Sequence, residues 1–222
     1  MVRLTRHGTV ITATSGDIEH DRRCFERDHA VRLFGLIDSD LLGLLQRQIE
    51  LDGFLERVHD ALPSRPVDLA LSPGLASGLL ALIINDSHFL KLIRLLTGRP
   101  TISSFSGSVH RRVPGAGHKD AWHNDAADGR LAALTINLGS EPFEGGVLQI
   151  RETRDGTVVY ELRNDGPGDA VLFQLSDTLQ HRVTDPEGGV ARTVCAGWFR
   201  AESVRQLFHL PVALAESAAR VR

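Results

Sequence analysis

The chain has 222 residues, 42% hydrophobic and 24% charged, with a net charge of −3. This is the balance of an ordinary globular protein with room for a sizeable core, and the slight negative charge argues against phosphate-backbone binding as the main activity. Cys24 and Cys195 are too few and too far apart for a disulfide framework. The start, Met1 to His7, lacks the apolar stretch of a signal peptide, and the longest apolar run, Leu79 to Ile84, cannot span a bilayer. The expected setting is cytoplasmic, with neither nucleic acid nor membrane as partner.

In chain order, residues 1–20 carry little pattern, and 29–35 reads as a strand. Ser39 or Asp40 caps a helix whose apolar positions include Leu41, Leu45, Ile49, Leu51, Phe54, Leu55, Val58 and Leu62. Pro63, Pro66 and Pro73 punctuate the next loop. An apolar segment at 75–84 is interrupted by Asn85-Asp86-Ser87. Asp86 or Ser87 then caps a helix through Phe89, Leu92, Ile93 and Leu96, closed by Gly98 and Pro100. After Gly98 the pattern changes to short strands at 102–113, 131–138, 147–152, 157–163, 170–175, 181–183 and 190–199. Turn signals such as Pro114-Gly115, Gly145-Gly146 and Asn164-Asp165-Gly166 separate them. Such a series predicts an antiparallel barrel or jelly roll, and helices packed on it make an α+β fold.

His123-Asn124-Asp125 precedes the strand at 131, and His181 and Arg192 follow far downstream. Two imidazoles and a carboxylate are the ligand set of a facial triad with open positions, which points to non-heme Fe(II). Residues two apart on a strand point to one side, so His123 and Asp125 can share an ion if that stretch is extended. The third ligand must arrive from another strand, and His181 follows the strand at 170–175. On the last strand, Arg192, Val194, Ala196 and Trp198 share one face; Thr193, Cys195, Gly197 and Phe199 share the other. A chelating 2-oxo acid has a far carboxylate that needs a cation, which an arginine fork supplies. Burying Arg192 without an anion would be costly.

The pieces Trp122-His123-Asn124-Asp125, Leu134-Thr135-Ile136-Asn137-Leu138 and Phe143-Glu144-Gly145-Gly146-Val147-Leu148 occur in that order. Gly168-Asp169-Ala170-Val171-Leu172-Phe173, His181-Arg182-Val183 and Arg192-Thr193-Val194-Cys195-Ala196-Gly197-Trp198-Phe199 follow. From about 102 to 200 the chain resembles the Fe(II)/2-oxoglutarate-dependent dioxygenases, in particular their prolyl-hydroxylase-like branch. The resemblance implies a double-stranded β-helix (jelly-roll) core with N-terminal helices packed against it. It also implies iron on His123, Asp125 and His181, with 2-oxoglutarate and O2 as co-substrates and Arg192 on the far carboxylate. The expected layout is one oxygenase domain over 1–222. About 1–100 is a mainly helical support region, about 101–202 the β-helix catalytic core, and 203–222 a C-terminal tail.

Many relatives place a hydroxyl two residues after the arginine, where this chain has Val194. Thr135, Arg111 or Arg112 is then the expected second partner of the carboxylate, and either arginine could instead hold the substrate. A second H-x-D, His118-Lys119-Asp120, competes for the metal. The downstream pair is preferred because a short loop joins it to the strand at Leu131, and because Trp122 and the spacing match the family. His118 is then a substrate-side or surface residue. His110, Arg111, Arg112, Trp122, Asp128, Arg130, Gln149 and Arg151 are candidates for the pocket border, each with a surface reading beside it. Gly145-Gly146 reads as a hairpin turn, Trp198 and Phe199 as core, and Cys195 as buried and inert. The family lends the expectation of a hydroxylase releasing succinate and CO2, with Asp125 arguing against halogenation. The short chain without a basic tract favours a small molecule, such as an amino-acid derivative or natural-product intermediate. The alternatives are a peptidyl or protein side-chain hydroxylase and a non-catalytic metal-binding β-barrel.

Overall fold

The structure is a computed structural model that describes residues 1–58, 67–116, 120–164 and 166–201. It opens with a hairpin, β1 (Val2–Thr5) and β2 (Gly8–Ile11), where the sequence shows little pattern. Val2 and Leu4 alternate into the core, and Leu4 is tied by backbone bonds to Leu36 and Asp38. α1 (Ser15–Asp28) starts at a capping box between Thr14 and Asp17 and stops at His29, which adopts φ 61°. β3 (Ala30–Leu33) follows, inside the expected strand.

α2 (Ser39–Asp52) begins one residue earlier than expected. The Asp38 carboxylate accepts from the Leu41 N–H, making Asp38 the cap. It buries Leu41, Leu45 and Ile49 and ends at Gly53, φ 73°. The apolar residues beyond Gly53 therefore do not continue the helix: they enter β4 (Phe54–Val58), which pairs with β5 (Val67–Leu71). Leu62 lies outside the described residues. α3 (Leu75–Ile84) buries Ala76, Leu80, Ile83 and Ile84. α4 (Ser87–Thr97) is capped by Asp86, buries Phe89, Leu90, Leu92, Ile93 and Leu96, and closes at Gly98, φ 63°.

The β-rich part contains β6 (Ser104–Arg112), β7 (Arg130–Asn137), β8 (Glu144–Gly145), β9 (Val147–Glu152) and β10 (Val158–Arg163). It continues with β11 (Ala170–Gln174), β12 (Leu179–Val183), β13 (Pro186–Glu187) and β14 (Arg192–Arg200). A seven-stranded antiparallel sheet runs β3-β11-β7-β14-β6-β5-β4, and a three-stranded sheet runs β10-β9-β12. The segment before residue 100 thus supplies three strands, β3, β4 and β5, to the larger sheet as well as the helices.

Two apolar cores follow from strand parity. The helices pack with one face of the large sheet through Phe105, Val109, Leu134, Ile136, Leu172, Cys195 and Phe199. The Phe199 ring tilts against Phe89 and Phe105, with centroids at 6.3 and 5.0 Å. The opposite face packs towards the small sheet through Ala133, Val171 and Phe173 against Leu148, Ile150 and Leu179. Each fully buried large apolar side chain contributes about 1.5–3 kcal/mol. Gly107 and Gly197 face each other across β6 and β14. A Cβ on Gly197 would come within 2.4 Å of the Gly107 Cα and 2.7 Å of the Phe105 ring, so the pair makes room for that ring. The architecture is the expected α+β jelly roll with helices on one face.

Candidate metal centre

His123 and His181 face each other across an isolated antiparallel bridge. The His123 N–H donates to the His181 carbonyl at 3.1 Å, and the His181 N–H donates back at 2.9 Å. Two residues on, Asp125 returns to the same side. The ligand atoms offered by His123, Asp125 and His181 all lie within 4.8 Å of one another. Asp125 Oδ2 is 3.7 Å from His123 Nε2 and 3.6 Å from His181 Nε2. The donor set suits a divalent ion of intermediate softness, because imidazole and carboxylate together match Fe(II).

The surroundings hold these donors in place. His123 Nδ1 lies 2.8 Å from the Ala121 carbonyl, so its proton belongs there and Nε2 is left for a metal. Asp120 Oδ1 is 3.5 Å from the same nitrogen, while its Oδ2 accepts from the Val183 N–H. His181 is buried with its edge against Phe173, centroids 4.9 Å apart. Asp125 Oδ2 accepts from Trp198 Nε1 at 2.8 Å, and Arg130 Nη1 stands 3.5 Å from Oδ1. Arg130 also lies over the Trp198 ring at 3.9 Å. Burial opposes ionisation of Asp125, but hydrogen bonds from His181 and Trp198 and the charges of His123 and His181 outweigh it. The carboxyl is lowered to about 2.

Trp198 also orients the site. The donor on Asp125 comes from the strand face that carries Arg192, Val194 and Ala196. Sequence reading treats Trp198 as core and misses its second task, holding Asp125. One signal is available: a buried indole N–H seeks an acceptor, and Trp198 shares parity with Arg192. Arg192 is buried near the Phe143 ring, 5.8 Å from its centroid. Gly146 is more than a turn residue: a Cβ there would sit 2.7 Å from Arg192 Cδ and 2.8 Å from Phe143. Its bare backbone leaves the lane through which Arg192 runs.

Register places the remaining candidates. Thr135 is the ladder partner of Ala196 and so shares the Arg192 face. Arg112 is the partner of Arg192 itself and lies on that face, 3.9 Å from Asp120. Arg111 points the other way: it donates to Thr193 Oγ1 at 2.9 Å, pairs with Glu50 on α2 and lies 4.2 Å over the Phe54 ring. The alternation of a strand forces this, and it turns Arg111 away from the triad. Trp122 is clamped between Arg151 and Arg182, at 4.4 and 4.5 Å. These arginines alternate with Ile150 and His181, so Trp122, Arg151 and Gln149 occupy the outer face of the small sheet. His118 lies outside the described residues.

Residues 107–200 match the family model of the 2OG-Fe(II) oxygenase superfamily. No curated protein gives a match. Among solved structures, an oxidoreductase of the 2OG-Fe(II) oxygenase family from Burkholderia pseudomallei superposes with a TM-score of 0.65 at 12% identity, covering 91% of this chain and 97% of that one. A Pseudomonas putida prolyl-4-hydroxylase superposes at 0.60 and 16% identity, covering 84% of this chain and 100% of its own. A Trichoplax adhaerens prolyl hydroxylase, solved with a hypoxia inducible factor peptide fragment, gives 0.60 and 16%, covering 89% and 98%. Among the described residues no helix is long and apolar enough to cross a membrane. Fe(II), 2-oxoglutarate and O2 are the cofactor and co-substrates of this family, and the His-Asp-His cluster could bind the iron. Residues 107–200 thus carry the sequence signature of the 2OG-Fe(II) oxygenases, and the chain has the fold of the solved members of that superfamily.

Proposed function

We propose that the chain is a single oxygenase domain that hydroxylates an unactivated carbon of a small molecule, such as an amino-acid derivative or natural-product intermediate. In this reading His123, Asp125 and His181 hold Fe(II), and Arg192 with Thr135 holds the far carboxylate of 2-oxoglutarate. The carrying observation is the convergence of the three donors within 4.8 Å beside the β14 face that bears Arg192. When bound, the metal and co-substrate supply an O2-derived oxidant, with one oxygen going into the substrate C–H bond and the other into succinate as CO2 leaves.

The chain's own contribution is geometric. The Ala121 carbonyl fixes the His123 tautomer, and Trp198 and Arg130 orient Asp125. Phe173, Ile150, Leu179 and Val171 exclude water from the far side of His181. Asp125 would give the iron a carboxylate where halogenating relatives have a small residue, which favours hydroxylation. The small-molecule assignment rests on the sequence, which has no basic tract. Peptidyl hydroxylation is the second reading, favoured by the likeness to two prolyl hydroxylases.

The test begins without oxygen: Fe(II) and 2-oxoglutarate are added and the visible charge-transfer band is sought. Oxygen is then admitted and succinate measured. Absence of both the band and succinate would sink the oxygenase reading. Screening amino-acid derivatives and peptides for an added oxygen by mass separates the substrate classes, and labelling of peptides alone would overturn the small-molecule assignment.

A further inference from the structure

Trp122 and His123 are consecutive, yet their side chains lie on opposite sides of the small sheet. The bridge between His123 and His181 is antiparallel, so continuing it by one residue sets Trp122 opposite Arg182. The two histidines point inward, and Trp122 and Arg182 point outward. On that outer face the Arg151 and Arg182 guanidiniums lie over the indole, 4.4 and 4.5 Å from its centre. A cation over an indole face is attracted by the ring.

Both guanidiniums are themselves tied down by their ladder partners. Arg182 Nε donates to Gln149 Oε1 at 2.7 Å, and Gln149 donates in turn to Glu161 on β10. Arg151 Nε and Nη2 donate to Gln180 Oε1 at 3.0 and 2.7 Å. A line of side chains therefore crosses the whole small sheet, from Glu161 on one outer strand to the ring beside the other. Trp122 docks on a surface already fixed in place.

The segment that carries His123 needs such a lock. Its backbone meets β12 through one pair of bonds, between His123 and His181. Side chains add two more: Asp120 accepts from the Val183 N–H, and Asn124 donates to the Ser176 carbonyl at 2.8 Å. A slip of one residue in so short a pairing would turn His123 outward and away from Asp125 and His181. With the ring seated on the two arginines, only one register is open.

We propose that Trp122, Arg151 and Arg182 are positioning residues for the metal centre: the docked ring sets the register in which His123 turns inward. The proposal rests on the reading of His123, Asp125 and His181 as metal donors. It gives Trp122 a task away from the molecule that is oxidised.

Calorimetric titration of the full chain with Mn(II) tests this without turnover, beside an unfolding curve for each variant. Trp122→Ala should weaken Mn(II) roughly 10-fold, the size seen for groups that hold a ligand in place. Trp122→Phe keeps a ring on the arginines and should recover most of that loss. Arg151→Gln combined with Arg182→Gln leaves the ring without its cations and should weaken Mn(II) about 5-fold or more. Both arginines are half-buried on the outer face, so this pair decides the matter if Trp122→Ala does not fold. Adding Trp122→Ala to the pair should cost no more than about twofold beyond Trp122→Ala alone, because ring and cations act as one unit. Mn(II) affinity within about twofold of wild type in Trp122→Ala, whatever happens to the unfolding midpoint, overturns the proposal and leaves the metal reading standing. Fully additive losses also overturn it, since ring and cations would then act apart. If wild type itself does not bind Mn(II), the metal reading fails and the proposal falls with it.

Discussion

The two faces of β14 are built from alternate residues of the same nine-residue strand, yet they do opposite work. Towards the helices, Cys195 and Phe199 join an apolar core where a ring meets several rings and no partner is unique. Towards the small sheet, Arg192 runs beside the Phe143 ring and Trp198 has one specific partner, a single oxygen of the Asp125 carboxylate. The helix-side face resists change by redundancy, whereas the inward face depends on single contacts. Substitutions on the two should therefore separate stability from ligand binding.

The largest effect is expected at the donors themselves. His123→Ala or Asp125→Ala should abolish the anaerobic charge-transfer band and lower succinate formation by about 10³-fold or more, with the fold retained by circular dichroism. A band that survives either change would break the assignment. Next is Phe199→Ala on the helix side, which leaves a cavity under Phe89 and Phe105. It should cost about 3–5 kcal/mol in denaturant unfolding, while Mn(II) affinity of the folded fraction stays at the wild-type level. Equal loss of both would erase the distinction between the faces.

Trp198→Phe sharpens the comparison further. It keeps the ring and removes the donor to Asp125, so metal affinity should fall roughly 10-fold, as for other groups that orient a ligand. The unfolding free energy should change by less than about 1.5 kcal/mol. A stability loss without a metal effect would return Trp198 to the core. The smallest expected signal is chemical. Burial pushes the Cys195 thiol up to about 12, and Cys24 is half-buried. A thiol reagent should therefore titrate Cys24 at once and Cys195 only on unfolding; rapid labelling of both would show that the helix-side core opens readily.

Much of the fold was readable because strand alternation and turn residues are local signals. The seven strand segments after Gly98 all fall within or beside observed strands, and Asp86 caps α4 as its side chain permits. The β1–β2 hairpin was harder to read, because only Val2 and Leu4 mark it and the bonds that hold it come from residues 36 and 38. Helix period and strand period also overlap around Leu51 to Val58, and only the positive φ of Gly53 separates α2 from β4. At the site, His123, Asp125, His181 and Arg192 are visible as residue types at informative spacing. The difference between Arg111 and Arg112 is not, since both lie on one predicted strand. Pairing with β14 decides which parity faces inward, and pairing is a property of the assembled sheet.

The bridge between His123 and His181 has a consequence beyond ligand geometry. β12 is one of the two outer strands of the three-stranded sheet. Its open side is met by the segment from Asp120 to His123, which takes up the N–H groups of His181 and Val183. That segment is thus a shield over an unpaired strand edge, the surface to which strands of other molecules add. An ion gripping both histidines would clamp the shield shut, so that keeping the protein loaded and keeping it from aggregating become one requirement.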